Sequence, residues 1–275
     1  MREHGLGSRP PGIARPGTDR QGRVVVEGGG WVGSRTVPTF AAGVLATVAG
    51  FVVVWCRGPA RADSAGTDRL VRWWASVWLR MAGARVVVHG LAHIDPAATY
   101  VVVSNHQSSL DPIVHLRMLP LSLRALAMRQ LFQIPVLGRA MRTVGMIEVD
   151  RGSPDFGQID EAAARSLAAG HSLLVYPEGR ISPDGTIGEF KDGAFIIAVT
   201  NQVPVLPVAI HGTRRIWPPG RRSIRSGQVR VTIGRPLPTS HQAGHDAARL
   251  CDQAREAICS AHRDLVAAMS ATAVS

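Results

Sequence analysis

Three stretches of this sequence end an apolar run in polar residues suited to acid–base or anion-binding chemistry. In the first, Val101-Val102-Val103 leads into Ser104-Asn105-His106-Gln107-Ser108-Ser109-Leu110-Asp111-Pro112. His106 and Asp111 are five positions apart. A loop entering a helix can bring such a pair together, so that the carboxylate accepts a hydrogen bond from one imidazole nitrogen. That bond fixes the tautomer and leaves the other nitrogen as a base. The base can deprotonate a substrate hydroxyl, which then attacks an acyl donor directly, with no serine nucleophile. Taken alone, this spacing is that of an ordinary surface histidine near a helix-capping aspartate. Its weight comes from the stretches that accompany it.

The second stretch is Gly145-Met146-Ile147-Glu148-Val149-Asp150-Arg151, where Arg151 has the fork geometry for a phosphate. The third is Leu173-Leu174-Val175-Tyr176-Pro177-Glu178-Gly179-Arg180-Ile181-Ser182. Pro177 and Gly179 turn the chain sharply, and Gly179 allows close backbone approach. Glu178 can orient a polar headgroup or hold a phosphate-binding arginine. Arg180 emerges beside it. Downstream, Phe190-Lys191-Asp192-Gly193-Ala194-Phe195 carries Lys191, the sole lysine, as a further phosphate contact. Val203-Pro204-Val205-Leu206-Pro207-Val208 then begins another apolar run, whose prolines suit the wall of a substrate channel.

The elements needed to position these groups are legible in the periodicity. Arg85–Val88, Tyr100–Val103, Met146–Val149, Leu173–Tyr176, Val205–Ile210 and Val229–Ile233 read as strands. Pro154–Ala169 and His245–Ala268 read as helices, the first capped by Ser153 with Pro154 at its first position. Alternating strands and helices predict an α/β fold, a mixed sheet flanked by helices. Polar residues just past apolar strands are placed where such sheets carry their sites.

Upstream, residues 1–35 are rich in Gly, Pro and Arg and read as a disordered basic tail. Residues 36–83 read as membrane-associated helices. Val37 to Cys56 carries no charge, and a helix of that length matches a bilayer core of about 30 Å. Trp31, Trp55 and Arg57 are placed as interfacial anchors. Ala60-Arg61-Ala62 resembles a signal-cleavage site, but the apolar run and the tail before it are longer than a signal peptide needs. Leu70–Met81 gathers Val71, Trp74, Val77, Trp78 and Met81 on one helical face, a pattern for the membrane interface or for core packing. Residues 84–275 form the catalytic domain in this reading.

Composition narrows the partner. The 275 residues hold 31 Lys and Arg against 20 Asp and Glu, a formal charge of +11. That excess suits an anionic surface. Zinc-finger spacing and an RNA-recognition signature are absent and aromatics for base stacking are few; composition leaves nucleic acid and an anionic membrane both open, and the motifs favour the membrane over nucleic acid. Cys56, Cys251 and Cys259 form no CxxC pair or Cys/His cluster, so neither a metal nor a catalytic thiol is expected. A G-x-S-x-G elbow is absent as well.

Taken in order, these blocks resemble the motifs of the glycerolipid acyltransferase family typified by lysophosphatidate acyltransferase. The family's N-H-x-x-x-x-D is matched by Asn105, His106 and Asp111, and its apolar strand ending in arginine is matched through Arg151. Its Phe-Pro-Glu-Gly-Thr-Arg-Ser is matched at Pro177, Glu178, Gly179 and Ser182, and its Pro-rich apolar strand at Val203 to Pro207. The likeness covers roughly residues 85 to 235. Two departures stand in the third motif: Tyr176 replaces Phe, an exchange expected to be harmless, and Arg180-Ile181 replaces Thr-Arg.

The resemblance implies transfer of a fatty acyl group from acyl-CoA or acyl carrier protein to the free hydroxyl of a lysophospholipid. Lysophosphatidate, giving phosphatidate, is the leading acceptor. His106 would be the base and Asp111 its orienting carboxylate. Asn105, Arg151, Glu178, Gly179, Arg180 and Lys191 would bind substrate, with no metal or cofactor. The Arg180-Ile181 departure bears on the acceptor: a larger headgroup, a lyso-aminolipid or glycerol 3-phosphate are the alternatives. A non-catalytic membrane-binding protein of the same fold is the rival of another class. The enzyme would sit at the cell membrane with its catalytic domain facing the cytoplasm, where acyl thioesters are found.

Overall fold

A computed structural model describes residues 17–18, 24–26, 35–57, 65–150, 152, 155–239 and 246–274. Arg151, Ser153, Pro154, Trp31 and the 60–62 segment lie outside them, as does most of the stretch read as a tail. Within that stretch two short strands are described, β1 (Gly17–Thr18) and β2 (Val24–Val26). The β-branched run of β2 pairs antiparallel with β3 (Ala84–His89), adding to the edge of the sheet.

The sheet continues through β4 (Val101–Ser104), β5 (Leu123–Met128), β6 (Ile147–Val149), β7 (Ser172–Val175), β8 (Val205–His211) and β9 (Gly227–Ile233). Among the described residues the order is β1-β2-β3-β9-β8-β4-β7-β5-β6. The centre is parallel: β4 pairs with β7 (Val101↔Leu173, Val103↔Val175) and with β8 (Val101↔Val205, Ser104↔Val208). β8 and β9 are antiparallel, so the sheet is mixed. The six strands read from periodicity are all present, with ends shifted by one or two residues. β5 was not foreseen. Its Leu-Arg-Ala-Leu-Ala-Met carries a fully buried arginine, Arg124, whose charge masks the strand pattern; Asp68 receives it at 3.0 Å.

Two apolar layers cover the sheet. On one side, Val102, Leu174, Leu206 and Ile210 pack under α2 (Ala65–Ala82) and α3 (Asp111–Met118). On the other, Val101, Val103, Leu173 and Val205 pack under α6 (Phe156–Ala168), α7 (Gly193–Thr200) and α9 (Asp246–Val274). Successive residues of β4 therefore feed opposite layers. A strand buried on both faces reads as an unbroken apolar run, as Val101-Val102-Val103 does. The cap of α6 differs from expectation: Asp155 accepts from the Gln158 amide at 3.1 Å, in place of Ser153. An aspartate three residues upstream of an amide does this job as well as serine.

The apolar segment is α1 (Thr36–Arg57), and α4 (Arg129–Phe132), α5 (Leu137–Thr143) and α8 (Thr213–Ile216) complete the helices. α1 is long and apolar enough to cross a membrane by length and composition. One side of it packs on α2. Trp78 lies so close to Gly43 that a Cβ there would sit 2.2 Å from the indole. Trp74 donates its Nε1–H to Thr47 Oγ1 at 2.9 Å. The other side presents Val37, Val44, Leu45, Val48 and Val52, with Val37 77% and Leu45 69% exposed. Phe40 and Trp78 join Trp217 in an aromatic cluster, Trp78 and Trp217 stacked at 6.0 Å. That cluster reaches the loop after β4, because Ser108 Oγ donates to the Trp217 carbonyl at 2.7 Å.

Candidate active site

Because β4 and β7 are parallel neighbours in register, the loops leaving their C-terminal ends emerge side by side. The first runs from Asn105 to Leu110 and turns into α3. Asp111 opens that helix, and its carboxylate organises the turn before it. Its Oδ2 accepts the Gln107 amide at 2.6 Å, the Ser108 amide at 2.8 Å and the His106 Nδ1–H at 2.8 Å. Asp111 is fully buried, and the His106 side chain is 9% exposed. With Nδ1 donating to Asp111, the lone pair of His106 sits on Nε2. The pair is therefore arranged as a base with its tautomer fixed.

The second loop is sewn to the first through Glu178. Its Oε1 accepts the backbone amide of His106 at 2.8 Å, and its Oε2 accepts that of Gly188 at 3.0 Å. The Ser182 amide returns a bond to the His106 carbonyl at 2.8 Å. Glu178 is thus a backbone clamp between the two loops, where the sequence reading gave it a headgroup or an arginine. Each oxygen accepts one backbone N–H, and the residue is 9% exposed. Asn105 is held by backbone bonds as well. It is fully buried, donates Nδ2–H to the Ile210 carbonyl at 2.9 Å and accepts the Ile210 amide at 2.9 Å. It extends the β4–β8 pairing and offers nothing to a substrate.

Gly179 has a φ of +69°, a conformation that favours glycine, and the Lys191 side chain lies against it. A Cβ at Gly179 would stand 3.3 Å from the Lys191 amine, so the glycine makes room for the lysine. Arg180 and Lys191 are exposed, and neither forms an ion pair among the described residues. These two cations of the second loop are therefore free to meet an anion. The amides of His106, Gln107, Ser108, Gly179 and Ser182 are all engaged within the loops, so none is spare for a developing oxyanion.

Several residues at the site were given no role from sequence. The Tyr176 ring stacks on His106 with centroids 3.9 Å apart and planes 17° apart, and its hydroxyl lies 3.0 Å from His115 Nδ1. Burial pushes His115 down to about 4 and Tyr176 well up, so His115 is neutral and Tyr176 keeps its proton near pH 7. Gln107 Nε2–H donates to the Gly185 carbonyl at 3.2 Å and to His262 Nε2, from α9, at 2.8 Å. Signals for two of these were present: His115 lies one helical turn after Asp111, and Tyr176 stands where the resembled motif has Phe. His262 had no sequence signal, being 155 positions from its partner.

The Cys251 thiol is pushed up to about 11, chiefly by burial and then by nearby aspartates. A thiol so held is a poor nucleophile at neutral pH. Among the described residues, no group of three or more His, Cys, Asp or Glu is placed to hold a metal ion.

Known proteins resemble this arrangement in sequence and in fold. The family model described as Acyltransferase matches residues 85–211. A chloroplastic 1-acyl-sn-glycerol-3-phosphate acyltransferase of Brassica napus is 37% identical over 193 residues, covering 69% of this chain and 54% of that protein. The alpha 1-acyl-sn-glycerol-3-phosphate acyltransferase of Homo sapiens is 34% identical over 185 residues, covering 66% of this chain and 65% of that protein. The chain thus spans less than two thirds of the length of these relatives. The crystal structure of the 1-acyl-sn-glycerophosphate acyltransferase of Thermotoga maritima matches with a TM-score of 0.74 at 25% identity, covering 85% of this chain and 95% of that one.

Proposed function

We propose that the chain, whose residues 85–211 match the Acyltransferase family model, is an acyltransferase that acylates the free hydroxyl of lysophosphatidate to give phosphatidate. The observation that carries this is the buried His106–Asp111 pair at 2.8 Å, with Nε2 left as the base. His106 Nε2 takes the proton of the acceptor hydroxyl as its oxygen attacks the thioester carbonyl carbon. The carbon–sulfur bond then breaks, and the imidazolium returns the proton to the departing thiolate. Asp111 stabilises the imidazolium between the two steps. The acyl group passes directly from acyl-CoA or acyl carrier protein to the lipid, without metal or cofactor.

Arg180 and Lys191 are the phosphate-binding groups of this reading, and Arg151 is assigned the same role from sequence. Gly179 lets Lys191 approach. Asn105 and Glu178 act by holding the loops. Both lipids are anionic, and the exposed apolar side of α1 supports attachment to a membrane. With a cytosolic thioester, the catalytic domain faces the cytoplasm at the cell membrane.

The test uses purified protein in nanodiscs with lysophosphatidate and a long-chain acyl-CoA, following thiol release and phosphatidate together. The wild type should form phosphatidate, and folded His106→Ala should be slower by about a hundredfold or more. Activity confined to a lysolipid with a larger headgroup would overturn the acceptor. Full activity in His106→Ala would overturn the base.

A further inference from the structure

Asp111 holds His106 through a bond that lies in the plane of the imidazole. It sets the tautomer and the direction of Nε2 within that plane. It does not stop the ring from tilting out of the plane. A base aimed at a hydroxyl needs both constraints, because proton transfer depends steeply on alignment.

The second constraint is Tyr176, lying 3.9 Å from the imidazole and nearly parallel to it. Tyr176 is itself held, because its hydroxyl meets His115 Nδ1 at 3.0 Å. His115 is fully buried on α3, one turn after Asp111. Side chains on a helix lean toward its N-terminus, which carries the His115 ring back toward the dyad. The phenol keeps its proton and therefore donates; His115 accepts at Nδ1 and carries its own proton on Nε2. His115 Nε2 is buried without a hydrogen-bond partner, so His115 has no access to a substrate.

We infer that Tyr176 and His115 form a second positioning pair for this reaction, fixing the tilt of His106 as Asp111 fixes its tautomer. The inference rests on His106 being the base of the acyl transfer. The aromatic face also attracts the imidazolium once the proton has been taken. A phenylalanine would supply the face without the anchor. The hydroxyl thus makes Tyr176 part of a two-residue device in this chain, where the sequence alone suggested a harmless exchange.

The test compares Tyr176→Leu, Tyr176→Phe, His115→Leu and His115→Asn in nanodiscs. Tyr176→Leu should lower kcat by about 10- to 100-fold, and Tyr176→Phe or His115→Leu by about 3- to 10-fold, with KM changed by less than about twofold. His115→Asn keeps an acceptor near the Nδ1 position and should recover most of the loss. Placed in His106→Ala, Tyr176→Phe should have no further effect, since it acts through that ring. Nitrogen-15 spectra of labelled histidines should show His115 neutral with its proton on Nε2, and the His106 Nδ1–H signal broadened in Tyr176→Phe. The spectra need no substrate, so a protein inactive on lysophosphatidate that gives them supports the pair while overturning the acceptor. Unchanged kcat in Tyr176→Phe and His115→Leu, an effect confined to KM, or the same loss in His106→Ala overturns the pair.

Discussion

The loop after β4 and the loop after β7 use their polar residues in opposite ways. In the first, Asn105, His106, Ser108 and Asp111 are buried, and their side chains bond within the protein. In the second, Arg180 and Lys191 stand exposed without ion pairs among the described residues. Glu178 belongs to the second loop by sequence and bonds to both loops. On the proposed function, the difference follows from two tasks. A base must be aimed before the substrate arrives, so its bonds are made internally. A cation that is to hold a phosphate must keep its donors free for it.

The largest effect that would break this comparison is on Asp111. Asp111→Ala removes the acceptor of three bonds at once, so kcat should fall by about 10²- to 10⁴-fold, read by single-turnover acyl transfer. A loss below tenfold would mean that the loop is held by other bonds.

The next is in the pH dependence of stability. His115 titrates at about 4 in the fold against 6.5 ordinarily, because burial penalises its charge. Between those values the unfolded chain binds a proton that the fold refuses. Stability is therefore complete above 6.5, falls as pH drops toward 4, and amounts to a loss of about 3 kcal/mol for a fully buried group. Urea titrations of wild type and His115→Asn at pH 7 and pH 4.5 should show the smaller acid loss in the variant.

Glu178→Gln sharpens the boundary between the loops. It sets an amide group against a backbone N–H, and should cost about 1 to 3 kcal/mol of stability together with a fall in kcat. A headgroup ligand would instead raise KM at unchanged stability. The smallest effect belongs to the exposed cations. Arg180→Ala and Lys191→Ala should each raise the KM for lysophosphatidate by up to about tenfold, with Tm unmoved.

Much of this was legible along the chain. Apolar runs of strand length gave six strands, because burial on one or both faces leaves a local pattern. The dyad was legible because His106 and Asp111 are near neighbours, joined by a turn that their own bonds build. β5 was hidden because Arg124 is buried against Asp68, 56 positions away. The roles of Glu178 and Asn105 were hidden for the same reason. Residue type says that a carboxylate or an amide can bind a ligand. Whether it does depends on what already fills its bonds.

The sequence by itself determined the α/β class, the apolar helix and the pairing of His106 with Asp111, since each is written in periodicity or short spacing. Only the tertiary structure decided which polar residues were spent. The register of β4 with β7 brings the His106 amide to Glu178, and that of β4 with β8 brings Ile210 to Asn105. The folding of α3 beside β7 brings His115 to Tyr176, 61 positions on. Such contacts join residues far apart in the chain, and a buried hydrogen bond holds only where both partners arrive within about 3 Å.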